Sequence, residues 1–449
     1  MRVNIPRLAT TSAAAVSTCV ATLSLAGAVL VAPTAARAQD STGVRLNVSY
    51  ALGSKPGVLV LPTDSVGPDS IRAIMQRDLD YDDRATVIAL DNQAARALLP
   101  RHGKEFNFAL YAKLGALLVV YPRATPSGLT ISLYDVSRKK IIQTQTFSTP
   151  LEVNSPAWRL SIHGVSDQLG LWIFGSPGAA STRILYVLDG HIWLVDYDGA
   201  NQRKLTSGML DLSPAWHPSG SMFAYSGYSG RGTGSQIAIR NFETGETHWK
   251  NSSVRGLNIT PTFSPDGRTI VYAHGVDANT DLVGANVNDD EASKRLTVGK
   301  SINTSPAFSP DGRQIAFMSG RAGHPEVYTM DADGSNAQLL TDFAFGESSY
   351  RASPDWSPDG RTIAYQSRIA GTFQIMAIDL RDRSTKQFTS EGENEDPSWA
   401  PDGRHLTFSS TRSGPRQLWV LDVTSGRLRQ LTKQGGAKLP AWSPLLRRP

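Results

Sequence analysis

Short runs of alternating apolar and polar residues fill the second half of this chain. TIVYAH at 269–274 and TIAYQS at 362–367 are two examples, and such alternation is typical of half-buried β-strands. Each run follows a turn and is followed by a further apolar run and by a segment that ends near Leu-Thr or Phe-Thr. Together with the strand before the turn, each repeat holds four short strands, which predicts one blade of a β-propeller.

One phrase introduces every repeat, and its second residue is always proline. These prolines lie 43 to 48 residues apart, which is the spacing of propeller blades. Where Pro-Asp-Gly follows, the chain is predicted to reverse in a hairpin, because proline fixes φ and the next residues tolerate unusual backbone angles. The phrases are SPAWHPSG (213–220), TPTFSPDG (260–267), SPAFSPDG (305–312), SPDWSPDG (353–360), DPSWAPDG (396–403) and the truncated LPAWSP (439–444).

The two ends of the repeat region complete one another. Residues 183–206 supply three strands without a first one, and residues 439–444 supply a first strand alone. Pairing of this C-terminal strand with the first repeat strands leaves no open sheet edge, so we predict an all-β six-bladed β-propeller over 183–449. An aromatic residue at the same place in every phrase is expected to pack between neighbouring blades. These aromatic residues are Trp216, Phe263, Phe308, Trp356, Trp399 and Trp442.

A different pattern, in which strands and helices alternate, precedes the propeller. The predicted elements are a strand at 57–62, a helix at 69–79, a strand at 86–91, a helix at 105–115, strands at 116–122, 129–136 and 140–147, and a helix at 155–174. Glycine and proline at 175–178 indicate a linker. The sequence therefore predicts a small N-terminal α/β domain with a mixed sheet over 51–178.

The first residues carry the pattern of an export signal. Two early arginines precede an apolar, small-residue stretch that ends in Ala-Arg-Ala at 36–38, so we predict a signal peptide over 1–38 and a flexible arm over 39–50. Loss of three arginines with the signal lowers the formal net charge from +5 to +2. The sequence has no lysine-rich run with interleaved aromatic residues, which argues against a nucleic-acid partner. Cys19, the one cysteine, lies in this signal, and no later apolar run reaches the length of a membrane span.

This combination resembles the TolB family, the periplasmic propeller proteins of the Tol-Pal envelope system of Gram-negative bacteria. The most specific segments are YAKLGALLVVYPRA at 111–124, STRILYV at 181–187, the SPDG repeats of PD40 type, and KLPAWSPLL at 438–446. The resemblance implies a non-enzymatic interaction scaffold in the periplasm, without a cofactor and expected to be monomeric. It implies that the propeller binds the peptidoglycan-associated lipoprotein Pal and that the N-terminal arm binds TolA, in support of outer-membrane integrity and constriction during cell division.

The loops that precede the inner strands are predicted to form the partner-binding surface. Strands of a blade run alternately up and down, so these loops converge on one mouth of the central channel. The resemblance implies contacts to Pal at Leu257, Thr260 and Thr304. The full set of predicted partner-binding residues is Leu257, Asn258, Thr260, Asn303, Thr304, Tyr350, Arg351, Glu395, Asp396 and Lys438, with Val44, Arg45, Leu46 and Val48 in the arm.

Other classes of function stay open at this stage. A propeller is also suited to bind a small ligand, a glycan or a peptide at its channel face. An envelope hydrolase is less favoured, because the chain has no G-x-S-x-G motif. The eight histidines show no H-x-x-x-H spacing, so no metal site is predicted. GRGTGS at 230–235 lacks the Lys-Ser or Lys-Thr of a phosphate-binding loop.

Overall fold

The computed structural model describes most of the chain between residues 55 and 446. The described ranges are 55–63, 69–100, 105–126, 128–150, 152–228, 234–250, 255–276, 279–289, 293–343 and 349–446. The predicted signal peptide and the predicted arm, with Val44, Arg45, Leu46 and Val48, lie outside them. Within these ranges a small α/β domain precedes six four-stranded sheets. The fold class predicted from the sequence is therefore confirmed.

The α/β domain is built on one mixed five-stranded sheet. Its elements are β1 (Gly57–Val60), α1 (Ser70–Asp82), β2 (Thr86–Val87), α2 (Asn92–Ala97), α3 (Phe108–Lys113), β3 (Leu118–Thr125), β4 (Gly128–Asp135), β5 (Lys140–Phe147) and α4 (Pro156–Phe174). The strand order is β2-β1-β3-β4-β5, with β1 parallel to both neighbours and the remaining pairs antiparallel. Apolar residues of α1 and α4 pack on one face of this sheet and form the core of the domain.

Side-chain caps fix the ends of the two long helices. The Asp69 carboxylate accepts a hydrogen bond from the Arg72 amide (3.0 Å) at the start of α1. Ser155 Oγ accepts one from the Trp158 amide (3.2 Å) at the start of α4. These bonds satisfy backbone N–H groups that have no partner inside a helix. Gly175, with a φ of 78°, ends α4 in the left-handed conformation.

Two elements are shorter than the sequence predicts, and caps explain both. The segment 86–91 forms a strand only at β2, because the Asp91 side chain caps α2, a short helix that the sequence analysis missed. The predicted helix at 105–115 is reduced to α3. The Asn107 side chain accepts a hydrogen bond from the Leu110 amide, and the helix begins there.

In the described part of the propeller, twenty-four strands form six blades of four strands each. Blade 1 contains β6 (Arg183–Leu188), β7 (His191–Asp196), β8 (Arg203–Lys204) and the last strand of the chain; blade 2 contains β9 (Leu212–Trp216), β10 (Met222–Gly227), β11 (Gln236–Asn241) and β12 (Thr247–Lys250). Blade 3 contains β13 (Leu257–Phe263), β14 (Thr269–Val276), β15 (Asn279–Asn286) and β16 (Ser293–Arg295); blade 4 contains β17 (Asn303–Phe308), β18 (Gln314–Ser319), β19 (Glu326–Asp331) and β20 (Gln338–Leu339). Blade 5 contains β21 (Arg351–Trp356), β22 (Thr362–Ile369), β23 (Thr372–Asp379) and β24 (Thr385–Gln387); blade 6 contains β25 (Asn394–Trp399), β26 (His405–Ser410), β27 (Gln417–Asp422) and β28 (Leu428–Gln430), and β29 (Lys438–Trp442) ends the set.

Strand β29 belongs to blade 1, where it pairs antiparallel with β6. The register places Trp442 opposite Ile184, so residues from both ends of the repeat region share one sheet. The predicted role of the aromatic residues between blades is confirmed. Phe263, for example, packs with Ala224 of blade 2 and with Ile270 of blade 3. Large aromatic side chains supply much of the buried area at such contacts.

Candidate docking face of the propeller

The propeller has two faces with different surroundings. The loops before the inner strands (β9, β13, β17, β21, β25 and β29) and the hairpins between second and third strands form what we call the loop face. The opposite turn face contacts the α/β domain. The His405 side chain in blade 6 lies 3.0 Å from the Tyr81 carbonyl oxygen of α1, and Arg77 of α1 pairs with Asp198 in blade 1 (2.8 Å). The α/β domain therefore makes these contacts without covering the loop face.

A repeated polar clasp holds the loops of this face. In blade 5, Thr389 Oγ1 donates to Gln374 Oε1 (2.8 Å) and accepts from the Ile375 amide (2.9 Å). Asn394, at the start of the next inner strand, donates to the same Gln374 oxygen (2.9 Å). Matching threonine bonds in other blades are Thr297–Asp281, Thr341–Glu326 and Thr432–Gln417. Because the bonds are buried and connected, they hold the described residues at this end of blades 3 to 6 in place.

The loop face also carries the exposed apolar side chains of the propeller. Among the described residues, every large apolar side chain that is exposed in the propeller lies at this end of a blade. Leu257 and Ile302 are each 50% exposed, and Met209 is 87% exposed. We call this set the apolar arc: Met209, Leu210, Tyr228, Leu257, Val276, Val298, Ile302 and Tyr350. Exposed apolar residues gathered on one face are typical of interaction sites.

Charged residues lie on the loop face beside the apolar arc. Glu395 pairs with Arg416 (2.8 Å), and Arg351 pairs with the buried Glu326 (3.0 Å). Lys438 is exposed at the start of β29. The face is therefore divided, with the apolar arc on blades 1 to 4 and at the start of blade 5, and charged pairs on blades 4 to 6. The sequence analysis found the charged residues but missed most of the arc.

The structure changes the expected role of two predicted contact residues. Asn258 is fully buried, and its Nδ2 donates to the Ser235 carbonyl oxygen (2.6 Å). Asn303 is 1% exposed, and its Nδ2 donates to the Thr280 carbonyl oxygen (3.0 Å). Both side chains hold neighbouring loops and have no surface to offer to a partner. Thr304 is partly buried in the β17 ladder.

Thr260 and Asp396 line the central channel, where a cavity of about 280 Å³ lies between the inner strands. In each blade the residue before the second-position proline of the phrase has a φ between 50° and 56°, which is uncommon for residues other than glycine. The ladder to the second strand shifts register there. The six residues are Ser213, Thr260, Ser305, Ser353, Asp396 and Leu439. The shift is a β-bulge, which re-aims the local backbone and side chains.

Hydrogen bonds between blades surround this cavity. The Ser305 amide donates to Thr260 Oγ1 (3.1 Å), and the Trp399 amide donates to the Asp355 carboxylate (2.7 Å). Burial raises the pKa of Asp355 to about 7. Burial, followed by the nearby Glu395 carboxylate, raises the pKa of Asp396 to about 6. The wall of the cavity therefore gains negative charge as the pH rises through this range.

One cluster of the described residues has the spacing of a metal site. The ligand atoms of His163, Asp196 and Asp198 lie within 4.8 Å of one another. Arginines already occupy both carboxylates, since Arg159 lies 2.6 Å from Asp198 and Arg183 lies 3.0 Å from Asp196. These cations repel a divalent ion at short range. We therefore interpret the cluster as an ion-pair network where the α/β domain meets blade 1.

Comparison with known proteins assigns the family. The family described as the TolB beta propeller domain (PD40) matches residues 172–446. The chain belongs to the TolB family. A "Tol-Pal system protein TolB" from Rickettsia rickettsii is 31% identical over 261 residues, which is 54% of either chain. One from Alcanivorax borkumensis is 29% identical over 226 residues, which is 47% of this chain and 50% of the relative. The chain thus spans about half the length of these curated relatives.

A solved structure extends the likeness to the whole architecture. The crystal structure of TolB from Acinetobacter baumannii superimposes with a TM-score of 0.72 and covers 87% of this chain and 97% of its own. The sequence identity is 24%, so the match shows a shared fold. Both curated relatives are named as proteins of the Tol-Pal system. Among the described residues, no helix is both long and apolar enough to cross a membrane.

Proposed function

We propose that this chain is a periplasmic interaction scaffold of a Tol-Pal system. Its loop face binds a Pal-like peptidoglycan-associated lipoprotein, and its N-terminal arm binds a TolA-like inner-membrane protein. Through both contacts it supports outer-membrane integrity and constriction during cell division. Membership in the TolB family and the names of the relatives support the assignment to this system. The export signal predicted at 1–38 supports the periplasm.

The observation that carries the proposal is the apolar arc on a rigid face. Burying a leucine or isoleucine side chain stabilises a complex by about 2 kcal/mol when the side chain starts fully exposed. Leu257 and Ile302 start half exposed, so each is expected to contribute about 1 kcal/mol. The clasps hold the loops in place before binding, so little ordering entropy is lost when a partner docks. The charged pairs beside the arc suit polar contacts at the rim of the interface.

The arm suits a second, different mode of binding. Its residues VRLNVSY at 44–50 alternate apolar and polar positions, the pattern of a strand with two distinct faces. An extended segment of this kind binds by adding a strand to the edge of a partner's sheet. We therefore assign the TolA-like protein to the arm and the Pal-like lipoprotein to the loop face.

Matched substitutions on the two domains test the docking face. We expect Leu257→Asp and Ile302→Asp each to weaken binding of a purified Pal-like lipoprotein domain by tenfold or more, because a carboxylate would have to lose its water at the interface. The control is Ile141→Asp on β5, since Ile141 is 52% exposed and lies in the α/β domain. Binding is measured by isothermal titration calorimetry with the full chain.

Each result bears on one part of the proposal. Weaker binding for both loop-face variants with unchanged binding for the β5 control supports docking at the apolar arc. Equal binding by all three variants would show that the loop face is not the docking site. A variant that lacks 39–50 is expected to keep its affinity for the lipoprotein and to lose its affinity for the TolA-like protein. Loss of both would argue against two separate sites.

A further inference from the structure

The contact between the α/β domain and the turn face of the propeller contains several ion pairs. Helix α1 supplies several residues of the α/β domain to this contact. Arg427 of blade 6 donates to the Asp80 carbonyl oxygen (2.7 Å) and to the Asp80 carboxylate (2.7 Å). The Arg429 guanidinium lies over the rings of Tyr81 and Tyr197, 4.4 Å from each. Two histidines, His405 and His163, are buried within this contact, and the proposed function uses neither.

The surroundings of His405 require a proton on both ring nitrogens. The side chain is 2% exposed. Its Nδ1 lies 2.6 Å from the Asp402 carboxylate, and its Nε2 lies 3.0 Å from the Tyr81 carbonyl oxygen. Both neighbours accept hydrogen bonds, and a neutral imidazole has one N–H to donate. Only the imidazolium form satisfies both contacts, so the bridge between blade 6 and α1 depends on a bound proton.

The position of Tyr81 makes this proton more favourable. Tyr81 is in the last turn of α1, which ends at Asp82, and carbonyl groups in the last turn of a helix lack partners within it. They form the negative end of the helix dipole, which attracts cations. His405 and Arg427 both donate to carbonyl oxygens of this turn. The propeller therefore caps the C-terminal end of α1 with two positive groups, one of which is titratable.

The nearby groups on every side of His405 agree with this state. Asp402 lies on the turn before β26, the strand that contains His405. The Asp422 carboxylate of β27 is 3.9 Å from His405 Nε2. Arg404 pairs with Asp422 (2.7 Å), and Arg429 of β28 opposes the positive charge. Burial by itself lowers the pKa of His405, but the adjacent Asp402 carboxylate outweighs it, and the pKa is raised above its ordinary value.

His163 of α4, beside blade 1, has a carboxylate near each ring nitrogen, but only one of the two is within hydrogen-bond distance. It is 1% exposed, and its Nδ1 lies 2.8 Å from the Asp78 carboxylate of α1. Its Nε2 is 4.0 Å from the Asp198 carboxylate of the propeller and has no hydrogen-bond partner among the described residues. Arg159 and Arg77 share the Asp198 oxygen. Burial lowers the pKa of His163, but Asp78, then Asp198 and Asp196, outweigh it and the pKa is raised.

We propose that two bound protons, one on His405 and one on His163, hold the α/β domain against the propeller, and that this contact weakens as the pH rises. In the unfolded or undocked chain each histidine titrates near 6.5. The docked form holds its proton to a higher pH. The stabilisation is therefore complete below about pH 6.5 and is lost as the pH rises through the pKa of the docked histidines. The interface is a proton-sensitive joint between the two domains.

The pH dependence of unfolding tests the proposal in the full chain. Between pH 6.5 and the pKa of the docked histidine, each one is expected to raise the unfolding equilibrium constant about tenfold per pH unit. His405→Gln removes one of the two protons, so its slope should be lower than that of the wild type by about one decade per pH unit. The control is His217→Gln, because His217 lies on a propeller turn and contacts Ser219 and Gly267 there. The control is expected to keep the wild-type slope.

Two further measurements distinguish the effect of the bound proton from a purely structural effect of the substitution. Hydrogen exchange of the α1 amides, corrected for its intrinsic pH dependence, is expected to accelerate with pH in the wild type more than in His405→Gln. If that variant does not fold, ¹⁵N spectra of the histidine rings in the wild-type chain decide. Imidazolium signals from both buried histidines above pH 7 support the proposal. Equal slopes for the wild type and His405→Gln, or titration of both rings near pH 6.5, would overturn it.

Discussion

Trp442 and Trp399 occupy the same place in two blades but differ in one hydrogen bond. Trp442 is 6% exposed and Trp399 is 8% exposed. The indole Nε1 of Trp442 donates to Thr182 Oγ1 (2.8 Å), which joins β29 to the segment before β6. The indole Nε1 of Trp399 is buried without a partner among the described residues. Because the two tryptophans are almost equally buried, a comparison of the two sites measures the effect of this one hydrogen bond.

We predict that Trp442→Phe is more destabilising than Trp399→Phe. Both changes remove a similar ring area and leave a similar cavity, so these costs cancel in the difference. At position 442 the change also removes a net contribution of about 1 kcal/mol from the hydrogen bond. At position 399 it removes an unpaired buried donor, which costs about 1 to 3 kcal/mol in the wild type. The expected difference is about 2 to 4 kcal/mol, or roughly 30- to 1,000-fold in the unfolding equilibrium constant.

Urea unfolding of the full chain, followed by tryptophan fluorescence and circular dichroism, measures this difference. Thr182→Val completes a double-mutant cycle with Trp442→Phe, and its coupling energy is expected to be about 1 kcal/mol. The same cycle with Trp399→Phe is expected to give no coupling. The reasoning is wrong if Trp399→Phe destabilises the chain as much as Trp442→Phe does, or if the cycle at Thr182 and Trp442 shows no coupling.

Two further predictions concern buried carboxylates. The pKa of Asp355 is raised to about 7, so folding favours its protonated form and its contribution to stability is lost as the pH rises from about 4 to 7. In thermal unfolding, Asp355→Asn should therefore gain stability relative to the wild type from pH 5 to pH 8. A difference in stability that stays constant over this range would contradict the prediction. Asp167 is fully buried and accepts from the Ala180 and Ser181 amides (2.7 and 2.8 Å). Asp167→Asn turns an NH₂ toward one donor, so urea unfolding at pH 4 should show a loss of about 1 to 3 kcal/mol, and wild-type stability there would refute it. Because the pKa of Asp167 is raised to about 7, the wild type loses stability as the pH rises, and the loss caused by Asp167→Asn should shrink toward pH 8.

The repeated phrase was enough to predict the inner strands of the propeller and the packing of their aromatic residues. Period-two alternation reports which side chains are buried, and proline with Asp-Gly reports where the chain turns. Neither reports backbone angles. The left-handed residues around the channel, such as Leu439 with a φ of 53°, could have been suspected only from their fixed position before each proline.

The pattern of apolar and polar residues also could not predict which loop side chains are buried. Asn258 looked like a solvent-facing loop residue because asparagine is common in turns. Its side-chain amide instead donates a hydrogen bond to the Ser235 carbonyl oxygen in a neighbouring loop of the propeller. Most of the apolar arc was missed for a related reason: isolated residues such as Met209 and Val298 have no periodic partners in the sequence. They share a surface only after the blades are arranged in a ring.

The contact between the domains depends on residues that are far apart in sequence. His405 and Tyr81 are separated by 324 positions, and no local pattern relates them. What the sequence did show was the order of the two domains; it placed the end of α1 at residue 79, three residues before Asp82. The chemistry of their contact, with buried histidines between carboxylates and carbonyl groups, follows from the fold and from pairing rules for buried charge.

The most direct test of the proposed scaffold role is affinity capture from a cell-envelope extract. The full chain, Leu257→Asp and the control Ile141→Asp are used as bait in parallel, and captured proteins are quantified by mass spectrometry. The proposal predicts that an OmpA-like peptidoglycan-binding lipoprotein is captured by the wild type and by Ile141→Asp, and at least tenfold less by Leu257→Asp. Absence of such a lipoprotein, or equal capture by all three, would contradict docking of Pal at the loop face.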